Sequence, residues 1–350
     1  MRRPGRVVCS MASQAARRVV LTLRNCPAAE ADLFAGACER ACVDVEARDG
    51  ELGAAALVDE GAVEVLCSWL GAVLNARVQV AAARLLRRLV AEAYGVASPG
   101  RERARLAGAV ACICAGMRQH LDHSGVQRAG AACLLLLFRA PQLAEASSEA
   151  VDVLAAAMRV HSTYSAVSEA CAGALRNLFM VARHLDRGAD VLDALVAGLR
   201  IHRADAHVVE HIIGALVNLA ATDANAQAAV EAGALEVLVP ALESHTRTPA
   251  VCLAACLALH NTVWKWPAAQ RAARAAGAVP VLRALRHTYR KGKVRPHLSD
   301  ADAALLLEAV DRVLHRLEGG QPLGGGRAWA AGTGSSTPRS PTAVGAPHAR

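Results

Sequence analysis

Residues 225–266 read NAQAAVEAGALEVLVPALESHTRTPAVCLAACLALHNTVWKW. A short Ala-rich run ends at Gly233, an apolar run follows it, and after a polar corner a longer apolar run begins. The stretch therefore spells a short helix, a tight corner, a second helix and a third. Glycine suits the corner, because a helix end often needs a residue in the left-handed conformation, which only glycine adopts without strain. No such unit can bury its apolar faces alone, so neighbouring units of the same kind must stack on it.

Those neighbours are present. The second-helix phrase GALEVLVPAL at Gly233 returns as GAVEVLCSWL at Gly61, GAVACICAGM at Gly108, EAVDVLAAAM at Glu149, DVLDALVAGL at Asp190 and GAVPVLRALR at Gly277. The steps between copies are 47, 41, 41, 43 and 44 residues, the period of a helical repeat array. Ala-rich runs precede several copies (ELGAAALVDEG, PAAQRAARAAG), and a longer apolar helix follows, such as VQVAAARLLRRLV or VVEHIIGALVNLA. Composition agrees: hydrophobic residues make up 54% and aromatics only 3%. Such an Ala-, Leu- and Val-rich chain suits helices packed closely on helices better than sheets.

The formal charge of +8 sits at the two ends. Residues 1–29 hold six arginines and no acid, and residues 319–350 hold three arginines and no acid, so the body is near neutral. Binding along a phosphate backbone needs a basic face rather than basic tails, and no nucleic-acid partner is expected. Only Lys265, Lys291 and Lys293 are lysines, so the abundant arginine reads as a mark of a GC-rich genome more than of chemistry. The eleven cysteines form no paired CxxC sets: Cys38/Cys42 and Cys252/Cys256 are four apart and Cys112/Cys114 two apart. They read as small buried residues in a reducing compartment. No apolar stretch is long enough to span a bilayer. The acid-free start, MRRPGRVVCSMASQAARRVVLTLRN, has the marks of a mitochondrial transit peptide, but a ragged start followed by a first amphipathic helix beginning near Met11 is the preferred reading. A cytoplasmic location is expected, with the nucleus as an alternative.

Residues 286–297, RHTYRKGKVRPH, read as an insertion before a final helix, SDADAALLLEAVDRVLHRLE. Its RKGKVR could serve as a nuclear-localisation or phosphate-binding element, but a solvated loop is the simpler reading. Ser299 is the candidate N-cap of the final helix, with Asp302 three residues on. Leu305, Leu306, Val310, Val313, Leu314 and Leu317 make one apolar stripe, whose opposite polar face would close the stack. From Gly319 onward Gly, Pro, Ser and Thr dominate and a disordered tail is expected, with GGQPLGGG as linker and Thr337-Pro338 and Ser340-Pro341 as proline-directed phosphosite candidates. The expected organisation is thus residues 1–49 as a basic segment with capping helices, 50–318 as the repeat array and 319–350 as the tail.

A repeat of about 42 residues with the corner AGA[LV]xVL and a third helix ALxNLA resembles the armadillo repeat over roughly residues 50–318. The resemblance implies an all-α, right-handed α-solenoid of about six three-helix repeats. Aligning the third helices on their Ala-Leu dipeptides places Asn177, Asn218 and Asn261 in one column, with Arg88 and Leu136 in the same column of the first two repeats. In armadillo proteins the third helices line a concave groove and this column faces it. The resemblance therefore implies a peptide groove around Asn177, Asn218, Asn261, Arg88 and Lys265, the last lying one turn beyond Asn261. An amide row can pair with an extended peptide's backbone. The competing reading is that each Asn ties its own helix to a neighbouring backbone carbonyl.

Nuclear-import adaptors of this family place Trp four residues before each Asn, where lysine stems stack. Here those positions are Gly173, Gly214 and Leu257, so an import role is not expected and the middle of the groove should be shallow-walled and roomy. Eight residues before each Asn lie Glu169, Glu210 and Leu253, which makes the expected groove mixed in sign. HVVEH, residues 207–211, matches the HxxEH pattern of inverted zinc peptidases, with His207 and His211 on one helix face and Glu210 as base. That chemistry belongs to an α/β fold, for which no strand signal is present. No phosphate-binding glycine loop, nucleophile elbow or Cys/His pair stands out either. The expected function is a non-catalytic scaffold or adaptor that holds a protein or peptide partner, without a cofactor or metal. Alternatives are a chaperone cofactor or ubiquitin-ligase adaptor that uses an outer face, and a zinc-dependent hydrolase built on the 207–211 helix.

Overall fold

The computed structural model describes residues 5–46, 53–72, 75–91, 98–139, 147–181, 188–290 and 299–320. Among them are 18 α-helices, one 3-10 turn at Ala28–Glu30 and no strand. Two helices, α1 (Gly5–Arg24) and α2 (Ala31–Glu46), precede the repeats. The first two repeats each show three helices: α3 (Ala54–Asp59), α4 (Ala62–Ala72) and α5 (Ala76–Ala91), then α6 (Pro99–Leu106), α7 (Ala109–Gln119) and α8 (Ser124–Leu137). The next two show two each, α9 (Ser147–Val160) with α10 (Ser165–Val181), and α11 (Gly188–Ile201) with α12 (Ala206–Leu219). Next come α13 (Asp223–Glu231), α14 (Ala234–Ser244) and α15 (Pro249–Val263). Last are α16 (Pro267–Ala275), α17 (Ala278–Arg290) and α18 (Asp300–Leu317).

In repeats three and four the aligned corner position holds Glu149 and Asp190 rather than glycine. The three-helix expectation there falls on residues 140–146 and 182–187, which lie outside the described residues. Where the glycine is present it behaves as expected. Gly61, Gly108, Gly233 and Gly277 have φ of 91°, 66°, 77° and 86°, a left-handed turn that reverses the chain between the first and second helices.

The chain divides into two compact units, Met1–Leu219 and Ala220–Arg350. In the first, the third helices pack in chain order, α5 on α2, α8 on α5, α10 on α8 and α12 on α10, while α4, α7, α9 and α11 form a second row beside them. This is the sequential stacking of an α-solenoid. The helix α1 covers the start of both rows, with Ala16, Val20 and Leu23 buried, and Phe34 of α2 stacks on Trp69 of α4 with ring centroids 4.0 Å apart. Residues 5–24 are therefore a first helix of the stack. In the second unit α15 packs on α18 and α14 on α17, with α13 and α16 against their neighbours. Both cores are mostly Leu, Val and Ala, each fully buried Leu or Val contributing about 1.5–3 kcal/mol.

A helix leaves its last carbonyls without intrahelical donors, and a stack of short helices multiplies that cost. Here long polar side chains supply the donors. Gln79 Nε2 donates to the Leu70 carbonyl at the end of α4 (2.9 Å), and Arg101 Nε to Val90 at the end of α5 (3.1 Å). Gln127 Nε2 donates to Met117 and His120 at the end of α7 (2.8 and 2.7 Å). In the second unit Gln270 reaches Val263, Arg274 reaches Leu317, and Arg316 reaches Trp264.

The C-terminal expectations divide. Ser299 Oγ accepts the Asp302 N–H at 3.1 Å, the predicted cap, and Leu306, Val310, Val313, Leu314 and Leu317 are buried. The insertion, however, begins later than residue 286. Arg286, Tyr289 and Arg290 belong to α17, because Tyr289 is buried and both arginines pair with Asp311 of α18, at 3.3 and 2.9 Å. Lys291, Lys293 and the tail from Gln321, including Thr337 and Ser340, lie outside the described residues. No helix among the described residues is long and apolar enough to cross a membrane.

Candidate functional site

The third helices of the first unit, α5, α8, α10 and α12, share one face with α2 ahead of them, and along it runs a half-open groove of 690 Å³. Its floor is made of small and branched side chains: Ala81 of α5, Ala129, Ala132, Leu135 and Leu136 of α8, and Ala166 and Ala170 of α10. Val43 of α2 is 66% exposed at one edge. Four arginines line it, Arg84, Arg87 and Arg88 from α5 and Arg128 from α8, together with Glu39, Glu46, Glu169 and His211. The three arginines on α5 lie at i, i+3 and i+4, so helix geometry alone puts them on one face.

Of the residues expected at a groove, the structure places Arg88 in its lining, where it pairs with Glu46 of α2. Leu136, its column mate in the second repeat, is there too. The asparagines are placed differently. Asn177 Nδ2 donates to the Leu135 carbonyl of α8, and Asn218 Nδ2 to the Arg176 carbonyl of α10, both at 2.8 Å. Both side chains are half-buried, and among the described residues the Oδ1 of neither carries a hydrogen bond. Each asparagine therefore ties its helix to the third helix one repeat earlier and keeps an acceptor in reserve. Asn261 is buried in α15 of the second unit, at 5% exposure. Lys265, also in the second unit, is exposed and pairs with Asp223 Oδ2 at 3.0 Å.

The glycines before these asparagines do not leave a roomy, shallow wall. A methyl group on Gly173 would lie 2.5 Å from Leu135 Cδ1 and 2.8 Å from His211 Cδ2, and one on Gly214 only 2.7 Å from Arg176 Cδ. Side chains of the adjacent helices fill the hollows that the glycines open. The Arg176 stem lies over Gly214, and its guanidinium comes within 3.8 Å of Glu210. His211 Nδ1 is 2.9 Å from the His207 carbonyl. The His211 ring is thus engaged within α12 and Glu210 with α10, and no group of three or more His, Cys, Asp or Glu side chains poised for a metal occurs among the described residues.

A second polar column escaped the sequence reading. His120, His161, His202 and His245 follow the second helices at steps of 41, 41 and 43, the period of the asparagines. His161 Nε2 meets the Leu121 carbonyl at 2.8 Å and His202 Nε2 the Ser162 carbonyl at 2.7 Å, each one repeat back. A carbonyl only accepts, so Nε2 carries the proton in both rings. Ser168 Oγ stands 3.1 Å from the same His202 nitrogen. The four-fold recurrence of His at repeat spacing was the available signal.

The cysteines described in the structure are free, and most are buried. Burial pushes the Cys67, Cys114 and Cys252 thiols up to about 12, and those of Cys38, Cys133, Cys171 and Cys256 well above the ordinary range, so these are packing groups rather than nucleophiles.

No protein-family model matches the chain, and no curated protein matches it. Solved structures do. One crystal structure of an engineered protein is 22% identical with a TM-score of 0.44, covering 87% of this chain and 96% of its own. A second engineered protein is 22% identical with a TM-score of 0.43, at 84% and 98% coverage. A structure from work on a phosphorylation switch in the interaction between cadherin and beta-catenin is 16% identical with a TM-score of 0.49, at 90% and 69% coverage. Likeness this distant assigns neither a family nor a partner.

Proposed function

We propose that the chain is a non-catalytic protein-binding scaffold, built from about six right-handed, armadillo-type repeats, that holds a segment of a partner protein against the third helices of its first unit. The observation that carries this reading is the groove itself. Four third helices and α2 present one face, its floor is apolar and accessible at Leu135, Leu136 and Val43, and polar groups stand around that floor. Apolar area left open between placed polar groups is what a recognition surface offers, since burial supplies affinity and the polar groups supply orientation. The half-open form suits a chain laid across the helices better than a small molecule enclosed among them.

Site-directed photo-crosslinking tests it. A photoreactive residue at Ala166, exposed in the groove on α10, is compared with one at Ala115, exposed on α7 in the other row. Ala166 is expected to crosslink one recurrent partner segment, and Leu136→Asp is expected to abolish that product. A partner crosslinked only through Ala115 would instead favour an outer-face adaptor and overturn the groove reading.

A further inference from the structure

The groove has an uneven charge that the near-neutral body conceals. Two of its three carboxylates are already matched: Glu39 by Arg77, whose Nη2 lies 3.2 Å away, and Glu46 by Arg88. Three of its four arginines, Arg84, Arg87 and Arg128, carry no ion pair among the described residues, and Arg84 and Arg128 are exposed. Three unmatched guanidiniums thus face one unmatched carboxylate, Glu169, across a floor of alanine and leucine.

We propose that this groove selects an acidic, leucine-rich type of segment from a partner protein, with Asp or Glu side chains alternating with apolar ones. The inference rests on the scaffold reading above and adds the partner's chemistry to it. Apolar side chains would lie over Leu135, Leu136 and the alanines, while carboxylates meet Arg84, Arg87 and Arg128 in bidentate fashion. A nucleic-acid strand fits poorly, because the lining has no Phe, Tyr or Trp to stack successive bases, only the single imidazole of His211, and keeps Glu39, Glu46 and Glu169 beside any phosphate path. The chain's own ends fit no better: residues 1–29 and 319–350 contain arginines and no acid. Steering by unmatched arginines also predicts salt-sensitive capture, since such charges are screened within about 10 Å at 0.1 M salt.

The test pans a displayed library of short random peptides against the full-length protein and against an Arg84→Glu/Arg87→Glu/Arg128→Glu variant. All three side chains project into the groove rather than the core, and far-UV circular dichroism checks that helicity is kept. The wild type is expected to enrich peptides rich in Asp and Glu with interspersed Leu, Ile or Phe. Their affinity should fall about tenfold or more from low to high salt. The variant is expected to lose these peptides and enrich Lys- and Arg-containing ones. Wild-type peptides without acidic bias, blocked by Leu136→Asp but indifferent to the arginine changes, would overturn the charge selection and leave the scaffold reading standing. Failure of the wild type to enrich any peptide that Leu136→Asp blocks would remove both. Single-stranded oligonucleotide bound more tightly than any enriched peptide, and lost in the arginine variant, would also overturn the proposal.

Discussion

At the scale of single residues, the carbonyl that Asn177 serves sets the cost of removing the amide. Leu135 lies in the last turn of α8, and Arg139, whose N–H would otherwise reach it, donates to Leu136. Asn177 Nδ2 is therefore the donor for a carbonyl with no helical partner. Asn218 donates to Arg176, which sits inside α10 rather than at its end. Loss of a donor from a carbonyl left dry costs about 1–3 kcal/mol, whereas loss of a supplementary bond costs about 1 kcal/mol. Asn177→Ala is thus expected to destabilise more than Asn218→Ala in urea unfolding; equal effects would contradict the capping role. Gln127 is a sharper case, being fully buried and donating to both Met117 and His120. Gln127→Met preserves volume and removes both bonds, and about 2–3 kcal/mol should be lost by the same measurement.

At the scale of helices, the corners and the ends decide stability. Gly233 turns the chain between α13 and α14 at φ 77°, and an L side chain is strained there whatever space surrounds it. Gly233→Ala should cost roughly 1 kcal/mol of unfolding free energy in denaturant titration, and an unchanged midpoint would contradict the strained corner. On α15, His260 is buried and its Nε2 has no hydrogen-bond partner among the described residues, while Trp264 lies 4.8 Å away between ring centroids. Burial, with Arg312 of α18 adding repulsion, lowers its pKa from 6.5 to about 4. The folded state therefore holds His260 neutral where the unfolded chain would protonate it. Its share of stability is intact above about pH 6.5 and is lost as pH falls toward 4, at up to about 1.4 kcal/mol per pH unit. His260→Gln should flatten that acid slope in urea titrations at pH 5 and pH 7. These elements also show what the sequence could reveal. The glycine corners and the asparagine column were legible because each is a local anomaly that repeats. The carbonyls served by Asn177, His161 and Gln127 were not, since a donor's partner lies up to 42 residues away or on another helix. Arg84, Arg87 and Arg128 were not singled out by the sequence for the same reason: only stacking decides which helical faces look into one groove.

At the scale of the molecule, the division at Leu219/Ala220 has consequences for how damage spreads. In a stack, each helix is supported by its neighbours in the row, so a local loss weakens adjacent repeats before distant ones. The carbonyl ties reinforce this: Gln127 joins α8 to α7, and Asn177 joins α10 to α8, all within residues 1–219. The second unit has its own ties, Arg274 to Leu317 and Arg316 to Trp264, joining α16 and the end of α15 to α18. Amide hydrogen exchange on the full-length protein therefore gives a spatial test. Gln127→Met should accelerate exchange across α7, α8 and α10 and leave α15 and α18 near their wild-type rates. Arg316→Met should do the converse, loosening α15 and α18 while α8 and α10 keep their protection. If either substitution accelerates both sets equally, the chain unfolds as one cooperative body and the boundary at residue 219 has no energetic meaning. If each effect stays within its own unit, a partner held on α5, α8 and α10 would stabilise those helices selectively, because binding protects the elements it contacts by mass action.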